Sequence, residues 1–376
     1  MRTLAPPVMV DATPLLQRSG GVKNYVFYWL QHLQRSAGSI RMYPFLRELE
    51  ELDHERSIEG TLGTLVRLAF AHFANVDHNR VLNLVARRVE LFHVSSNQVY
   101  NPPTNTKLSA TVYDMTCWLV PGMHEADTVA WAKRFADRVL QRADGVIAIS
   151  ESTRRDVIEI LGLPPERVTV IYPGIPEAFF TVTASQVDGV RTHYDLRREY
   201  ILFVGVMEPR KNLPRLVEAY QSLAPSLREE FELILAGPIG WIEPQELAKI
   251  LAPGTGIRHL GYVPEKDMAP LTAGATVMAY PSLYEGFGFP VAQAMAAGVP
   301  VVTSGISSLP ELVGDAGELV DPNSVTEIRD ALARVLTSPT SRCSMAQKGR
   351  ERAREFSWDR CTRMSLEYFE TLLGRS

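Results

Sequence analysis

The segment that decides the fold class is residues 281–300, which read PSLYEGFGFPVAQAMAAGVP. The apolar run before it, at residues 276–279, predicts a short buried strand, and the glycines that follow predict a turn. Pro290 then favours the first turn of a helix, because its fixed φ suits that position and its missing N–H is not needed there. A strand, a glycine-rich turn and a helix in this order form the repeating unit of a parallel α/β sheet.

The same alternation of apolar runs and helical-period segments continues towards both ends of the chain. It predicts two Rossmann-like halves in tandem, each with a parallel sheet. The predicted strands are residues 8–11, 42–45, 91–94, 108–112, 146–149 and 168–171, then 200–204, 232–236, 258–260, 276–279 and 299–303. The predicted helices include residues 25–34, 62–73, 79–89, 129–142, 213–223 and 243–251, and the chain from Ser324 onward has helical period.

The alternating pattern lapses between Pro173 and Tyr200, where prolines and a glycine precede a polar stretch. Such a composition is typical of a linker. We therefore expect an N-terminal domain at residues 1–180 and a C-terminal domain at residues 181–376. Open α/β sheets bind ligands at the carboxyl ends of their strands, so two sheets that face each other predict a cleft lined by loops from both.

The composition fits this two-domain interpretation. The chain has 376 residues, more than twice the typical domain length of about 150 residues. Hydrophobic residues make up 45% and charged residues 22%, which argues against a disordered chain and against an integral membrane protein. The 39 basic and 43 acidic residues leave a net charge of -4, which gives no reason to expect nucleic acid as a partner.

The cysteines and the N-terminus concern the compartment. Cys117, Cys343 and Cys361 are far apart, which fits a reducing compartment and no zinc cluster, and we interpret all three as structural. The first residues lack the apolar core of a signal peptide, and no window approaches the ~18 apolar residues of a membrane span. We therefore expect a cytoplasmic protein.

Loop A, residues 18–25, follows the first predicted strand and contains Gly20 and Gly21. Paired glycines let backbone N–H groups approach an anion at a helix N-terminus. The alternative is a tight turn without a ligand.

Loop B, residues 204–212, repeats the arrangement with Gly205 and then places Arg210 next to Lys211. A guanidinium fork and a compact ammonium at a strand end suit a pyrophosphate. The alternative is that both cations are solvated surface residues.

Loop C, residues 281–289, places Glu285 at its mouth and the backbone amides of Gly286, Phe287 and Gly288 behind it. These groups can hold the hydroxyls of a polar ligand while the helix N-terminus faces a phosphate. Gln293 lies about one turn into the helix, on the same side. The alternative is that Glu285 only caps the helix or forms a salt bridge.

In these loops and in further motifs, the chain resembles retaining GT-B glycosyltransferases of family 4 along nearly its whole length. Besides loop C, the matching motifs are Val204-Gly205, Pro209-Arg210-Lys211-Asn212, Gly261-Tyr262-Val263-Pro264, Ser150-Glu151-Ser152-Thr153, Pro173-Gly174-Ile175 and Phe356-Ser357-Trp358. The resemblance implies an α/β fold of two Rossmann-like domains, with the nucleotide-sugar donor held mainly by the second domain and the acceptor by the first. It also implies that the last helix, at about residues 359–373, packs back on the N-terminal domain.

The resemblance assigns roles to individual residues. Glu285 matches the first Glu of a motif of Glu, seven residues and Glu, and would hold donor-sugar hydroxyls. Arg210 and Lys211 would bind the pyrophosphate. The remaining implied donor-binding residues are Gly21 and Gly205 near the phosphates, Gly286, Phe287, Gly288 and Phe289 through their backbone amides, and Tyr262 and Val263 beside the nucleobase, while Lys23 lies where the acceptor is expected.

Two positions depart from the family pattern. The second Glu of the motif, which binds ribose hydroxyls in the family, is Gln293 here, and its amide carries no charge. The family's frequent His at the end of a first-domain strand is replaced by Tyr113, which is followed by Asp114. A phenol can hydrogen-bond a sugar but is a poor general base near neutral pH.

The implied activity is retaining transfer of a hexose from a nucleotide diphosphate sugar to a glycan or a lipid-linked acceptor. Loop B, with its Glu-Pro-Arg-Lys-Asn sequence, is similar to that of mannosyltransferases and favours GDP-mannose. The sequence contains no Asp-x-Asp pair, so we expect neither a metal requirement nor a cofactor. The alternatives are another GT-B activity, such as a sugar-nucleotide epimerase or a phosphorylase, and a non-catalytic nucleotide-sugar-binding protein.

Residues 62–88 suggest a second partner. The segment carries Leu65, Leu68, Phe70 and Phe73 together with Arg67, Arg80, Arg87 and Arg88, a combination that could lie on anionic lipid at the inner face of the cell membrane. Core packing with an ordinary solvated face is the alternative explanation.

Overall fold

The structure is a computed structural model, and it describes residues 8–16, 20–36, 40–44, 60–76, 89–99, 106–242, 244–252 and 254–375. The chain divides into two compact units. Unit 1 is Met1–Gly174 together with Ser357–Ser376, and unit 2 is Ile175–Phe356.

Unit 1 contains a parallel sheet of six described strands in the order β2-β1-β3-β4-β5-β6. The strands are β1 Val8–Asp11, β2 Arg41–Tyr43, β3 Leu91–Val94, β4 Lys107–Val112, β5 Gly145–Ala148 and β6 Val168–Val170. The described α-helices are α1 Gly21–Ser36, α2 Gly60–Val76, α3 Thr116–Leu119, α4 Ala126–Arg138, α5 Glu151–Leu161 and, from the end of the chain, α15 Trp358–Leu372. The predicted helix at residues 79–89 lies almost wholly outside the described residues.

Strands β1, β3 and β5 of unit 1 are buried throughout, which explains their mainly apolar sequences. His93 on β3 is a polar exception, because Ser109 and Thr111 lie 2.8 and 2.9 Å from its two ring nitrogens. Burial lowers the pKa of His93 to about 3, so the ring is neutral at physiological pH.

The terminal helix α15 packs on α1 within unit 1. The indole N–H of Trp29 donates to the Ser365 hydroxyl at 3.0 Å, and the rings of Trp358 and Tyr25 are 5.7 Å apart. Ser357 caps the helix by accepting from the backbone N–H of Arg360, which fixes where α15 begins.

Unit 2 contains a second parallel sheet of six described strands, in the order β12-β11-β10-β7-β8-β9. The strands are β7 Glu199–Val204, β8 Phe231–Ala236, β9 Ile257–Gly261, β10 Val277–Tyr280, β11 Val301–Ser304 and β12 Glu318–Val320. The described helices are α6 Ala184–His193, α7 Leu213–Gln221, α8 Pro225–Glu230, α9 Pro244–Ile250, α10 Glu265–Ala273, α11 Phe289–Ala297, α12 Leu309–Val313, α13 Val325–Thr337 and α14 Pro339–Ala353. The prediction of two Rossmann-like halves is confirmed.

The composition of the polar stretch after Pro173 predicts an irregular linker, but the structure shows regular secondary structure in this stretch. It contains helix α6, which begins with a capping box in which the Thr183 hydroxyl accepts from the N–H of Gln186 and the Gln186 side chain accepts from the N–H of Thr183. These two side chains therefore start a helix within a stretch whose composition is typical of a linker.

Three features of the described residues concern thiols, metal ions and membranes. Cys117, Cys343 and Cys361 are free thiols, and only Cys361 is fully buried. Within the described residues, no group of three or more His, Cys, Asp or Glu side chains could hold a metal ion. None of the described helices is both long and apolar enough to cross a membrane.

Candidate active site

The sheet order of unit 2 brings loops B and C together, because β7 and β10 are neighbours and both loops leave their carboxyl ends. The N–H of Leu283 donates to the carbonyl of Arg210 at 2.8 Å. Asn212, in the left-handed region with φ 58°, donates its side-chain N–H groups to the carbonyls of Pro281 and Pro322 at 2.9 and 2.7 Å. These bonds join two loops that are 70 residues apart in sequence into one surface.

Glu285 is the centre of this surface, and it is buried. Its Oε1 atom lies 2.7 Å from Nζ of Lys211, 3.1 Å from a guanidinium nitrogen of Arg210 and 2.7 Å from the Ser282 hydroxyl. These three contacts all go to Oε1 and none goes to Oε2, and the Tyr280 hydroxyl also interacts with the carboxylate. The carboxylate is therefore held mainly through one oxygen.

The two cations keep this carboxylate charged. Burial by itself would raise the pKa of Glu285, but the charges of Arg210 and Lys211 overcome that effect and lower the pKa to about 2. Burial, followed by the neighbouring Arg210, lowers the pKa of Lys211. The site thus holds a carboxylate and two basic groups out of bulk water, where hydrogen bonds to charged groups are strong.

Arg210 and Lys211 differ in how they are held. The Arg210 guanidinium donates to the Tyr284 carbonyl at 2.6 Å and contacts Glu208 Oε1 at 2.5 Å as well as Glu285. Its charge is matched by two carboxylates, so its main effect is to hold loops B and C in place. Lys211 keeps one ammonium N–H without a partner among the described residues.

Helix α11 begins at Phe289, directly behind Glu285. Gly288 caps it with φ 99°, a backbone conformation that favours glycine, and a Cβ there would lie 2.7 Å from Cδ2 of Leu309, at the end of a flexible side chain. Pro290 occupies the first turn, as the sequence predicts. The first N–H groups of a helix have no partner within the helix, so this helix start is where an anion or a hydroxyl would be accommodated.

Gln293 lies on the second turn of α11 with 6% of its surface exposed. Its amide forms no hydrogen bond with any described residue, and neither amide atom is fully enclosed. A nearly buried amide without a protein partner is unusual, because such groups are normally satisfied. The fold therefore leaves a hydrogen-bonding group in place for something else.

Tyr262 and Val263 follow β9 at the same edge of the sheet, and Val263 is buried while Tyr262 is half-buried. The neighbouring loop, residues 237–241, is tied to them by the N–H of Gly237, which donates to the carbonyl of Gly261 at 2.8 Å. It is also tied to loop B, since the N–H of Met207 donates to the carbonyl of Pro238 at 3.0 Å.

Sequence reasoning missed several residues that support Glu285. The Ser307 hydroxyl accepts from the N–H of Glu285 at 3.0 Å, and the Ser308 hydroxyl donates to its carbonyl at 2.9 Å. Ser307 holds this position in the left-handed region, with φ 55°. The paired serines after β11 were the signal available, but nothing local indicates that they face a glutamate 22 residues earlier.

The unit 1 candidates are organised separately. Gly21 begins α1, and a Cβ at Gly20 or Gly21 would meet nothing within 4 Å, so packing does not require glycine at either position. Lys23, expected near the acceptor, is fully buried.

Tyr113 and Asp114 follow β4 and are both engaged in unit 1. The Tyr113 hydroxyl donates to the carbonyl of Ser95 at 2.7 Å, and burial, followed by the charge of Asp11, raises its pKa well above the usual value. Asp114 accepts from the N–H and the hydroxyl of Thr116 at 3.0 and 2.6 Å. Tyr113 therefore remains a protonated phenol.

Comparison with known proteins places the chain. Residues 191–352 match the family Glycosyl transferases group 1, and residues 19–179 match Glycosyltransferase Family 4. The chain is 34% identical over 277 residues to O-antigen chain mannosyltransferase B of Escherichia coli, covering 73% of this chain and 72% of that protein.

Two solved structures have the same fold over almost the whole chain. Sucrose-phosphate synthase of Thermosynechococcus elongatus superposes with a TM-score of 0.74 at 20% identity, covering 98% of this chain and 100% of that one. Anabaena Alr3699/HepE in complex with UDP-glucose superposes with a TM-score of 0.72 at 18% identity, covering 97% and 99%. These similarities confirm the GT-B fold, and the chain belongs to glycosyltransferase family 4, with mannosyltransferase-like sequence.

Proposed function

We propose that this glycosyltransferase moves a hexose, with retention of configuration, from a nucleotide diphosphate sugar to a glycan or lipid-linked acceptor. The observation that carries the proposal is Glu285, whose Oε1 is fixed by two cations and the Ser282 hydroxyl, while none of these contacts involves Oε2. The Glu285 carboxylate is charged, buried and held in one orientation, so its oxygens are suited to accept hydrogen bonds from sugar hydroxyls.

The donor fits the remaining groups of unit 2. Lys211 and the α11 N-terminus face the diphosphate, the amides of Gly286–Phe289 face sugar and phosphate, and Gly205 leaves room for them. Gln293 accepts from the ribose, and Tyr262 with Val263 lies beside the base. We favour GDP-mannose, because the relative with 34% identity is a mannosyltransferase and loop B has the mannosyltransferase-like sequence.

The reaction breaks the bond between the anomeric carbon and the leaving phosphate oxygen and forms a bond to the acceptor oxygen on the same face. The acceptor proton passes to the departing diphosphate. Charge grows on that diphosphate in the transition state, so Lys211 and the helix N-terminus would stabilise it most at that point. Because the sequence has no Asp-x-Asp pair, these groups stand in for a divalent metal.

Unit 1 would supply the acceptor side. By resemblance to the family, Gly21 would serve the donor phosphates, and Tyr113 with Asp114 would serve the reacting sugar. Lys23 is buried, so we assign it to the support of this surface.

A panel of nucleotide sugars tests the proposal. We expect GDP-mannose to raise the melting temperature most, and sugar transfer to persist in excess EDTA. The product should keep the anomeric configuration of the donor by NMR. Lys211→Ala should lower kcat by ~100-fold, the scale of one lost preorganised charge. Absence of both stabilisation and transfer across the panel would refute the proposal.

The rival activities predict other products. An epimerase would convert the donor without an acceptor, a phosphorylase would need orthophosphate, and a binding protein would be stabilised by donor without turnover. Product analysis with and without acceptor and orthophosphate separates these outcomes.

We also propose that α2 contacts an anionic membrane surface. Leu62, Leu65 and Val66 are 77%, 61% and 61% exposed, and Leu65 and Val66 lie one helical turn after Leu62 on the same face. Phe70, by contrast, packs against the core. The side chains of Phe73, Arg80, Arg87 and Arg88 lie outside the described residues. The double variant Leu62→Ser/Leu65→Ser should lose sedimentation with phosphatidylglycerol vesicles, while Leu119→Ser, at another exposed leucine of unit 1, should not. Equal sedimentation of both variants would overturn this proposal.

A further inference from the structure

Tyr280, the last residue of β10, is fully buried directly beneath Lys211. Its hydroxyl is hydrogen-bonded to Nζ of Lys211, and Nζ lies 4.9 Å from the centre of its ring. The ring stacks on Phe203 at 5.7 Å, which locks its orientation from the neighbouring strand β7. A rigid phenol therefore fixes the position of the ammonium at the end of a flexible lysine side chain.

The hydrogen bonds of the ammonium explain why a phenol suits this place. An ammonium has three N–H donors, and here one contacts Glu285 Oε1 and a second contacts the Tyr280 hydroxyl. These two partners come from different elements and fix the direction of the third. Without the hydroxyl, one donor would be unpaired in a buried site, and Glu285 alone would determine where the ammonium lies.

Gly205 lies beside this pair. A Cβ at that position would lie 3.8 Å from both Cε of Lys211 and the Tyr280 hydroxyl, an ordinary contact distance, so it is the φ of 148° that favours glycine. The anion of the proposed function would approach the ammonium on this side, over the backbone of loop B.

We propose that Tyr280 is a positioning residue that holds the Lys211 ammonium with its third N–H directed at the departing diphosphate. The proposal rests on the proposed function for the identity of that anion. Because Tyr280 is fully buried, it would act through Lys211 rather than contact the donor itself.

The charge balance around Lys211 gives the proposal a distinctive readout. The charged groups that face it are Arg210, Glu285 and Glu208, and the neutral Tyr280 hydroxyl accepts from the ammonium while it also interacts with Glu285. Because an acceptor stabilises the charged amine, its removal should lower the pKa of Lys211 further below the usual value. Activity that requires the ammonium should then be lost at a lower pH on the alkaline side.

Tyr280→Phe is the test, because it keeps the ring and removes only the hydroxyl. The expected result is a ~10-fold lower kcat, a donor KM within ~2-fold of wild type, and an alkaline limb of kcat displaced to lower pH. The matched control is Tyr200→Phe, which removes another fully buried hydroxyl of unit 2, bonded to the Leu271 carbonyl at 2.6 Å. It should lower the melting temperature without moving the pH profile.

Lysine-selective NMR separates this proposal from the proposed function. The Lys211 Cε and Nζ resonances, assigned with Lys211→Met, should titrate at lower pH in Tyr280→Phe than in wild type, whether or not a transfer reaction has been found. Identical titration in the two proteins, or an unshifted alkaline limb with unchanged kcat, overturns the positioning role. Failure of wild type to transfer sugar from any donor would instead refute the proposed function.

Discussion

At the scale of single residues, the ionisation of Glu285 links the site to stability. Its pKa of about 2 lies below the ordinary value of 4.5, so the folded state favours the charged form more than the unfolded state does. The resulting stabilisation is fully present above pH 4.5 and is lost as the pH falls through 2. The shift corresponds to at most about 3 kcal/mol.

We therefore predict that Glu285→Gln lowers the free energy of unfolding at pH 7, and that its difference from wild type shrinks as the pH falls below 4.5. Urea unfolding between pH 3 and 7 measures this. Glu229→Gln, at an exposed glutamate of the same unit, serves as the control and should differ little from wild type throughout. A constant gap for Glu285→Gln down to pH 3 would contradict the assigned ion pairs.

Gln293 is the second residue whose environment makes a prediction. Because its amide has no described partner, Gln293→Ala should change the melting temperature little but raise the donor KM. Loss of one hydrogen bond predicts weaker nucleotide binding by about 0.5 to 1.5 kcal/mol. Gln293→Glu should bind at least as well as wild type, since a carboxylate accepts from both ribose hydroxyls.

Calorimetric titration of GDP into the three proteins decides the role of Gln293. Equal affinities would remove Gln293 from the donor site. A large loss of stability in Gln293→Ala would instead indicate a packing role.

The same residues show what sequence could predict. Glu285, Lys211 and Gln293 lie in motifs whose spacing is local, so the sequence is enough to propose roles for them. Tyr280 and Ser307 act across strands and loops distant in sequence, and buried tyrosines and loop serines are common for other reasons.

At the scale of elements, the buried strands could be predicted because parallel strands covered on both faces are continuous apolar runs. Strand β12 was missed, since it has three residues and none of its neighbours forms a clear apolar run. Helix α6 was missed for a different reason. Its amphipathic pattern is weak, and its start depends on the Thr183 capping box.

The turn after β8 gives the prediction at this scale. Gly237 has φ 137°, and a Cβ there would lie 2.2 Å from the carbonyl oxygen of Gly205 in loop B. Because backbone cannot move aside like a flexible side chain, Gly237→Ala should displace loop B. We expect it to lower the free energy of unfolding by roughly 3 kcal/mol and to weaken donor binding.

Gly254→Ala is the matched control for that variant. Gly254 also has a positive φ, of 79°, but a Cβ there would meet nothing within 4 Å. It should cost ~1 to 2 kcal/mol from backbone strain alone and leave donor binding unchanged. If both variants bind donor like wild type, the contact between the two turns does not position loop B.

At the scale of the whole molecule, the chain passes from unit 1 to unit 2 at Gly174–Ile175 and returns at Phe356–Ser357. The alternation of strands and helices could predict two halves, whereas the return of the last helix to the first half is implied only by the resemblance to the family. That return depends on specific contacts, such as those of Trp29 and Tyr25 with α15. They combine residues more than 300 positions apart.

The two passages lie side by side, and this leads to a prediction about unit 1. The N–H of Ile175 donates to the carbonyl of Phe356 at 3.0 Å, and a Cβ at Gly174 would lie only 2.2 Å from the backbone nitrogen of Trp358. Gly174→Ala should therefore displace the start of α15. Because α15 packs on α1, hydrogen exchange should become faster in α1 and α15 and remain unchanged in β7 and β8.

The size of the effect follows from the contact. Backbone must move by a large fraction of an ångström at a buried helix start, and a cost of about 2 kcal/mol would lower the melting temperature by roughly 4 to 8 °C. Gly122→Ala, also in unit 1 but with no atom within 4 Å of the added carbon, should leave both measurements close to wild type. If Gly174→Ala exchanges and melts like Gly122→Ala, then the close contact with Trp358 does not determine where the terminal helix begins, and α15 must be held by its contacts with α1 alone.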